Sequence, residues 1–163
     1  MEEKANKKNI WQGLLLLNVA VSFFSVGAVW LAQLNWMLWR FVGTKEFAVY
    51  HAAWWHGIWW AIFPVAVIAS LGVCAQLRWR PPIVASWAVW LALAIQILVY
   101  IGTAFWWGPG QSSLSHALLA DGSLDKTYVL LLNTQWIRVA LITAAGVLEL
   151  WMAFKSFITI KPN

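Results

Sequence analysis

Tyr50 and His51 stand side by side in this chain, and Arg138 stands alone inside the long apolar stretch 128–154. A tyrosine–histidine pair can hold or pass a proton near neutral pH, because imidazole titrates there. A guanidinium within a hydrocarbon layer costs roughly 2.5–3.5 kcal/mol on insertion scales, so it faces protein or a wet cavity. Arg138 has no carboxylate at i±3 or i±4. Its partners must come from other segments, from a bound anion or from water. Two readings stay open. In one it is a structural clasp, bonded to carbonyls freed at Pro64 or to Gln96 and Tyr100. In the other it contacts an oxygen-bearing group of a lipophilic ligand.

Metal chemistry finds little support. His51 and His56 lie about 140° apart around a helix, too far to chelate one ion. His51 with His116, joined by Glu46 or Asp121, is the remaining combination. No HExxH, CxxC or EF-hand spacing occurs. No metal is therefore assigned, and no cofactor can be named. Cys74, the lone cysteine, sits in an apolar segment and reads as a small core residue.

The elements that must position these groups follow from composition. The chain has 163 residues, 62% hydrophobic and 10% charged, with a mean hydropathy of +0.69. A soluble domain carries about 25% charged residues. An integral membrane protein is expected, as one domain over 1–163. Four segments, about 11–39, 50–77, 82–107 and 127–154, reach the roughly 20 helical residues that cross a bilayer core. Short alternating strands are missing, which disfavours a β-barrel. The expected fold is all-α, a bundle of four transmembrane helices. The start, MEEKANKKN then LLLLNVAVSFF, has the look of a signal peptide. Its apolar run continues to Trp39, beyond an h-region of about 7–15 residues, so it reads as an uncleaved first span.

The net charge of +5 does not point to nucleic acid, because the basic residues flank the apolar segments. Lys4, Lys7, Lys8, Arg78, Arg80, Lys155 and Lys161 fall on the side of the termini; Arg40, Lys45 and Lys126 fall opposite. That bias puts both termini in the cytoplasm. Pro64 is expected to kink span 2. Pro81 and Pro82 make a tight turn between spans 2 and 3. SSLSHALLADG, between spans 3 and 4, reads as a short amphipathic helix at the interface, with a serine start and a glycine stop.

Counting about 1.5 Å per residue from the inner ends puts Arg138, Gln96, Pro64 and Ser25 in one layer of the outer half. Tyr100, Thr103, Trp55, Trp59, Asn133 and Trp136 come just above it. Gln33, Tyr50, His51 and His56 come higher still. The inner half shows no comparable polar set; Glu149 is expected to snorkel at the interface or pair with Arg78. Gln96, Tyr100, Thr103 and Trp107 share one face of span 3. Thr134, Gln135, Arg138 and Glu149 share one face of span 4, with Asn133 and Trp136 off it. Asn18, Ser22 and Ser25 read as a helix-packing face. YHAAWWHGIWW reads partly as an aromatic interface belt and partly as the wall of a ring-lined pocket.

The order of features resembles the small four-helix bacterial membrane proteins of the anthrone-oxygenase-like group and its uncharacterised relatives. The resemblance rests on WLAQLNW, GTKEFAVYH, Pro64, SHALLADGSLD and LLNTQWIRVALITAAGVLELW. One departure is that Trp54 stands where that pattern has a second histidine. The resemblance implies a site for a lipophilic or aromatic small molecule at Gln33, Tyr50, His51, Asn133, Trp136 and Arg138.

The resulting expectation is an outer-half pocket that binds, and in the catalytic version oxidises or isomerises, an aromatic or quinone-like molecule entering from the lipid bilayer. Arg138 and Asn133 would orient a ligand oxygen, with Gln96 or Thr103 assisting. Tyr50 and His51 would move a proton. Trp55, Trp59, Tyr100 and Trp107 would wall the volume. The alternative is a non-catalytic subunit of a larger complex or homo-oligomer, whose tryptophan faces pack on partners or pigments.

Overall fold

The computed structural model describes residues 2–158. Lys161 lies outside the described residues, as do the side chains of Lys4, Lys7 and Lys8. The described residues are almost all helical: α1 (Glu2–Leu38), α2 (Thr44–Ala61), α3 (Phe63–Arg78), α4 (Ser86–Gly102), α5 (Gly108–Ser113) and α6 (Lys126–Ile158). The only β structure among them is one isolated bridge, Leu118 with Leu124. Four helical stretches are long and apolar enough to cross a membrane: Asn9–Phe41, Thr44–Arg78, Ser86–Ser113 and Lys126–Ile158. They pack in a ring, α1 against α3 and α6, and α4 against α3 and α6.

The polarity of the bundle is inverted relative to a water-soluble one. Leu16, Phe24, Leu31, Trp60, Trp87, Trp90 and Phe105 are exposed, whereas Asn18, Gln33, Gln76, Gln135 and Glu149 are buried. Lipid tails solvate leucine and phenylalanine as well as a protein core does, so burial is used for polar and small groups instead.

Span 2 begins earlier than expected. GTKEF opens α2, because the Gly43 carbonyl accepts the amides of Glu46 and Phe47. Pro64 lies in the first turn of α3 and separates it from α2. Ile62 N–H still donates to Ile58, and Ala66 N–H to Ile62, so the two helices form one span with an internal break. The Pro81–Pro82 turn is tied by Arg80, whose Nε donates to the Val84 carbonyl and Nη1 to that of Leu77.

The expected interfacial helix over SSLSHALLADG is corrected. Only its two leading serines are helical, at the end of α5, which continues span 3 beyond a π-helical turn at Thr103–Trp107. Residues 114–125 form a looped hairpin instead. Asp121 Oδ1 accepts from both the N–H and the hydroxyl of Ser123, and Gly122 takes φ 81°. That local turn outcompetes a helix. Asp125 then caps α6 by accepting the amides of Thr127 and Tyr128.

Two cores result. The half holding both described ends has a small aliphatic core of Leu15, Val73, Val84, Ala88, Val89, Ala92, Met152 and Ala153. The half holding α5 and the 114–125 loop has an aromatic one, including Trp36, Trp39, Phe47, Trp107 and Tyr128.

Candidate functional site

α1 and α6 run antiparallel, and three contacts fix their register. Tyr128 Oη donates to the Trp36 carbonyl at 2.7 Å. Trp30 Nε1 donates to Thr143 Oγ1 at 3.2 Å. Gly146 faces Val26 and the Ser22 carbonyl. Gln33 is midway between Trp36 and Trp30, and Gln135 is midway between Tyr128 and Thr143. The two amides therefore lie level. Both residues are 0% exposed, and none of their four amide atoms has a protein partner. Trp36 Nε1, Gln111 Nε2 and Arg138 Nε in the same half are also buried and unpartnered. Buried polar groups almost always pair with protein, water or ligand. These unpartnered groups in the half that holds α5 leave their pairing to water or a ligand.

Arg138 is half-buried, with its guanidinium carbon 4.3 Å from the centroid of the Trp107 ring. Trp107 Nε1 donates to Thr134 Oγ1, which fixes the ring beneath the cation. Cation–π attraction satisfies charge without using the N–H donors. The clasp on Gln96 and Tyr100 does not form. Tyr100 Oη donates to the Ala66 carbonyl and pairs with Ser70 Oγ, joining α4 to α3. Gln96 Oε1 has no partner. Thr103 Oγ1 donates to its own helix, at Val99.

His51 is sandwiched on α2. Phe47 stacks on one face at 5.6 Å and Trp54 lies over the other at 6.2 Å, with Trp39 edge-on at 5.2 Å. Its Nε2 is 2.8 Å from Gln111 Oε1. The amide oxygen can only accept, so Nε2 carries the hydrogen. Tyr50 turns elsewhere. Its hydroxyl accepts from Asn35 Nδ2, and Asn35 Oδ1 accepts from Trp39 Nε1. The neighbours in sequence are thus bound to different helices, His51 to α5 and Tyr50 to α1. His116 lies 3.6 Å from Asp125 rather than beside His51. Among the described residues no three His, Cys, Asp or Glu side chains gather where an ion could sit.

The remaining expected residues scatter. Asn133 is exposed, as are Trp59 and Trp136. Trp136 meets Trp30 edge-to-face at 5.7 Å. Trp55 is half-buried between Trp54 and Trp59. Trp30, Trp136 and Trp151 line an open apolar groove of about 780 Å³ along α6, together with smaller residues such as Ala140 and Ala144 and aliphatic ones such as Ile95 and Leu148. Neither Arg138, Tyr100 nor His51 lines it.

Gln135, Gln111, Trp36, Trp39, Trp54 and Tyr128 were not among the expected site residues. Gln135 could have been found, since it shares a face with Arg138. The others depend on which helices become neighbours. Cys74, expected in the core, is exposed.

Glu149 corrects a second expectation. It neither snorkels nor pairs with Arg78, which is exposed. It is 1% exposed, and its Oε2 accepts from Gln76 Nε2 at 2.8 Å. The helix-packing reading of Asn18 and Ser22 fits their burial, at 1% and 9% exposed.

No protein-family model, curated protein or solved structure matches the chain. The fold defines the class: a helical bundle with four helices long and apolar enough to cross a membrane, consistent with a multi-pass membrane protein.

Proposed function

We propose that the chain binds a lipophilic, oxygen-bearing small molecule of aromatic or quinone-like character in the half that holds α5. The observation that carries this is the level pair Gln33 and Gln135, fully buried with no protein partner on either amide. Two amides offer both donors and acceptors, which suits carbonyl and hydroxyl oxygens on a ring. Arg138 above Trp107 adds a cation with donors to spare. The His51–Gln111 link closes the α2–α5 side, and His51 is the group able to exchange a proton with the ligand. Tyr50 serves the rim through Asn35. The resemblance to the anthrone-oxygenase-like group supports the same ligand class. The proposed setting is the bacterial inner membrane, with the termini in the cytoplasm and this half outward.

The test is a titration of the purified protein in nanodiscs with a short-chain quinone, read by tryptophan fluorescence quenching. Saturable binding is expected, weakened at least tenfold by Gln33→Leu, Gln135→Leu or Arg138→Leu. Equal affinity for the folded variants and the parent would sink the reading.

A second reading rests on the apolar groove between Trp30, Trp136 and Trp151. Its apolar lining of aromatic, aliphatic and small residues suits a partner helix, of a second copy or of a larger complex. Native mass spectrometry in mild detergent separates the two: a bound subunit favours this one, a bound small molecule the first.

A further inference from the structure

The other half of the bundle holds a polar cluster in an apolar core. Asn18, Gln76 and Glu149 come from α1, α3 and α6, and each is 1% exposed. Asn18 and Glu149 lie level, between the Ser22–Gly146 contact on one side and the Leu15 and Met152 layer on the other. The Asn18 amide oxygen rests against Gly72, one helical turn before Gln76. One hydrogen bond is made, Gln76 Nε2 to Glu149 Oε2. Glu149 Oε1, Gln76 Oε1 and both amide atoms of Asn18 have no partner.

Charge balance narrows what completes this cluster. A carboxylate withdrawn from water is retained only beside a compensating charge or in neutral form. α1 carries no ionisable side chain from Asn9 to Leu38, and α4 carries only Tyr100, whose hydroxyl is engaged by the Ala66 carbonyl and Ser70 Oγ. α3 offers Cys74 and Arg78, both exposed, and Arg80 beyond it is engaged with the Leu77 and Val84 carbonyls. On α6 itself, Arg138 is about 16 Å away along the axis, and Lys155 lies over the Trp151 ring at 4.7 Å. No basic group reaches Glu149 among the described residues. The orphan atoms include one carboxyl oxygen and two amide oxygens, Asn18 Oδ1 and Gln76 Oε1. Against these three acceptors the cluster has one orphan donor group, Asn18 Nδ2; a hydrogen on Glu149 Oε1 adds a second donor and removes the charge.

We propose that Asn18, Gln76 and Glu149 form a proton-binding site, with the proton carried on Glu149 Oε1 and directed at an amide oxygen of Asn18 or Gln76. Binding forms one O–H bond, takes one proton from water on the side of the chain ends, and moves no electrons. Gln76 acts as a positioning residue by holding Oε2, so that Oε1 faces the acceptors.

The test is infrared spectroscopy of the full chain in lipid at neutral pH, in the carboxylic-acid carbonyl region. The other described carboxyl groups, Glu46, Asp121 and Asp125, are exposed or half-exposed, so the wild-type spectrum should show a single acid band. Glu149→Gln should abolish it. Asn18→Leu and Gln76→Leu should shift it, because the hydrogen bonding of the acid changes. Circular dichroism establishes that each variant folds, and the wild-type band with the two leucine variants suffices if Glu149→Gln does not. Absence of an acid band in the wild type, or its survival in Glu149→Gln, overturns the proposal. Loss of the wild-type band on replacing choline chloride with sodium chloride also overturns it, in favour of a metal-cation site.

Discussion

Arg138 lies over Trp107, 4.3 Å from guanidinium carbon to ring centroid, and Trp107 in turn donates to Thr134 on the helix that carries Arg138. The ring therefore bridges the π-helical turn after α4 to α6. Trp107→Phe keeps a ring under the cation and loses the N–H bond, so it should cost about 1 kcal/mol. Trp107→Ala removes the buried ring as well and should cost about 3–5 kcal/mol. Thermal unfolding in detergent orders the three proteins. Equal stability of the phenylalanine and alanine variants would show that the cation–ring contact contributes nothing.

Gln33 and Gln135 lie at one level, buried and without protein partners. Removing a buried polar group that has none should relieve a desolvation cost of roughly 1–3 kcal/mol. Gln33→Leu should thus stabilise the ligand-free protein by about 1 kcal/mol while weakening quinone binding. The opposing signs are the diagnostic, measured as melting temperature with and without quinone. A variant destabilised in both conditions would mean that protein groups satisfy the amide.

Tyr128 reaches from the first turn of α6 to the Trp36 carbonyl and is fully buried. Tyr128→Phe leaves the ring volume but removes the donor. A loss of about 1–2 kcal/mol is expected. Amide hydrogen exchange should quicken around residues 36–41, where the carbonyl helps hold the end of α1. Unchanged exchange there would argue that lipid or water replaces the hydroxyl at no cost.

Asp121 sets the pH response of the 114–125 loop. The Ser123 hydroxyl, and then the Ser123 N–H, hold its carboxyl below the ordinary aspartate value. A depressed folded-state value means the turn is favoured above the unfolded value of about 3.9. That contribution is lost as pH falls through the folded value. Limited proteolysis between residues 119 and 124 should therefore accelerate only below about pH 4. Ser123→Ala should move the onset to higher pH, and an onset unmoved by that change would refute the assignment.

The residue pattern alone was enough for the spans, because 1.5 Å of rise per residue and the apolar run length are local properties. It was enough for the faces of α6 too. Gln135 and Glu149 are buried, Arg138 half-buried and Trp136 exposed, as the helical period requires. The exposure of Trp87 and Trp90 follows from the same period. The serine start and glycine stop of SSLSHALLADG suit a helix and a hairpin alike. What decides is the Asp121–Ser123 turn and the Leu118–Leu124 bridge.

Sequence by itself thus determined that four helices long enough for a bilayer carry an isolated arginine, and which side of α6 turns inward. Tertiary structure alone decided who meets whom. Gln76 bonds Glu149 from 73 residues away, and His51 bonds Gln111 from 60. No spacing rule reaches across such intervals. In a lipid-solvated bundle the apolar pattern does not choose neighbours, since lipid and protein solvate it alike. The choice falls to a few buried amides and rings, whose pairings exist only once the helices are packed.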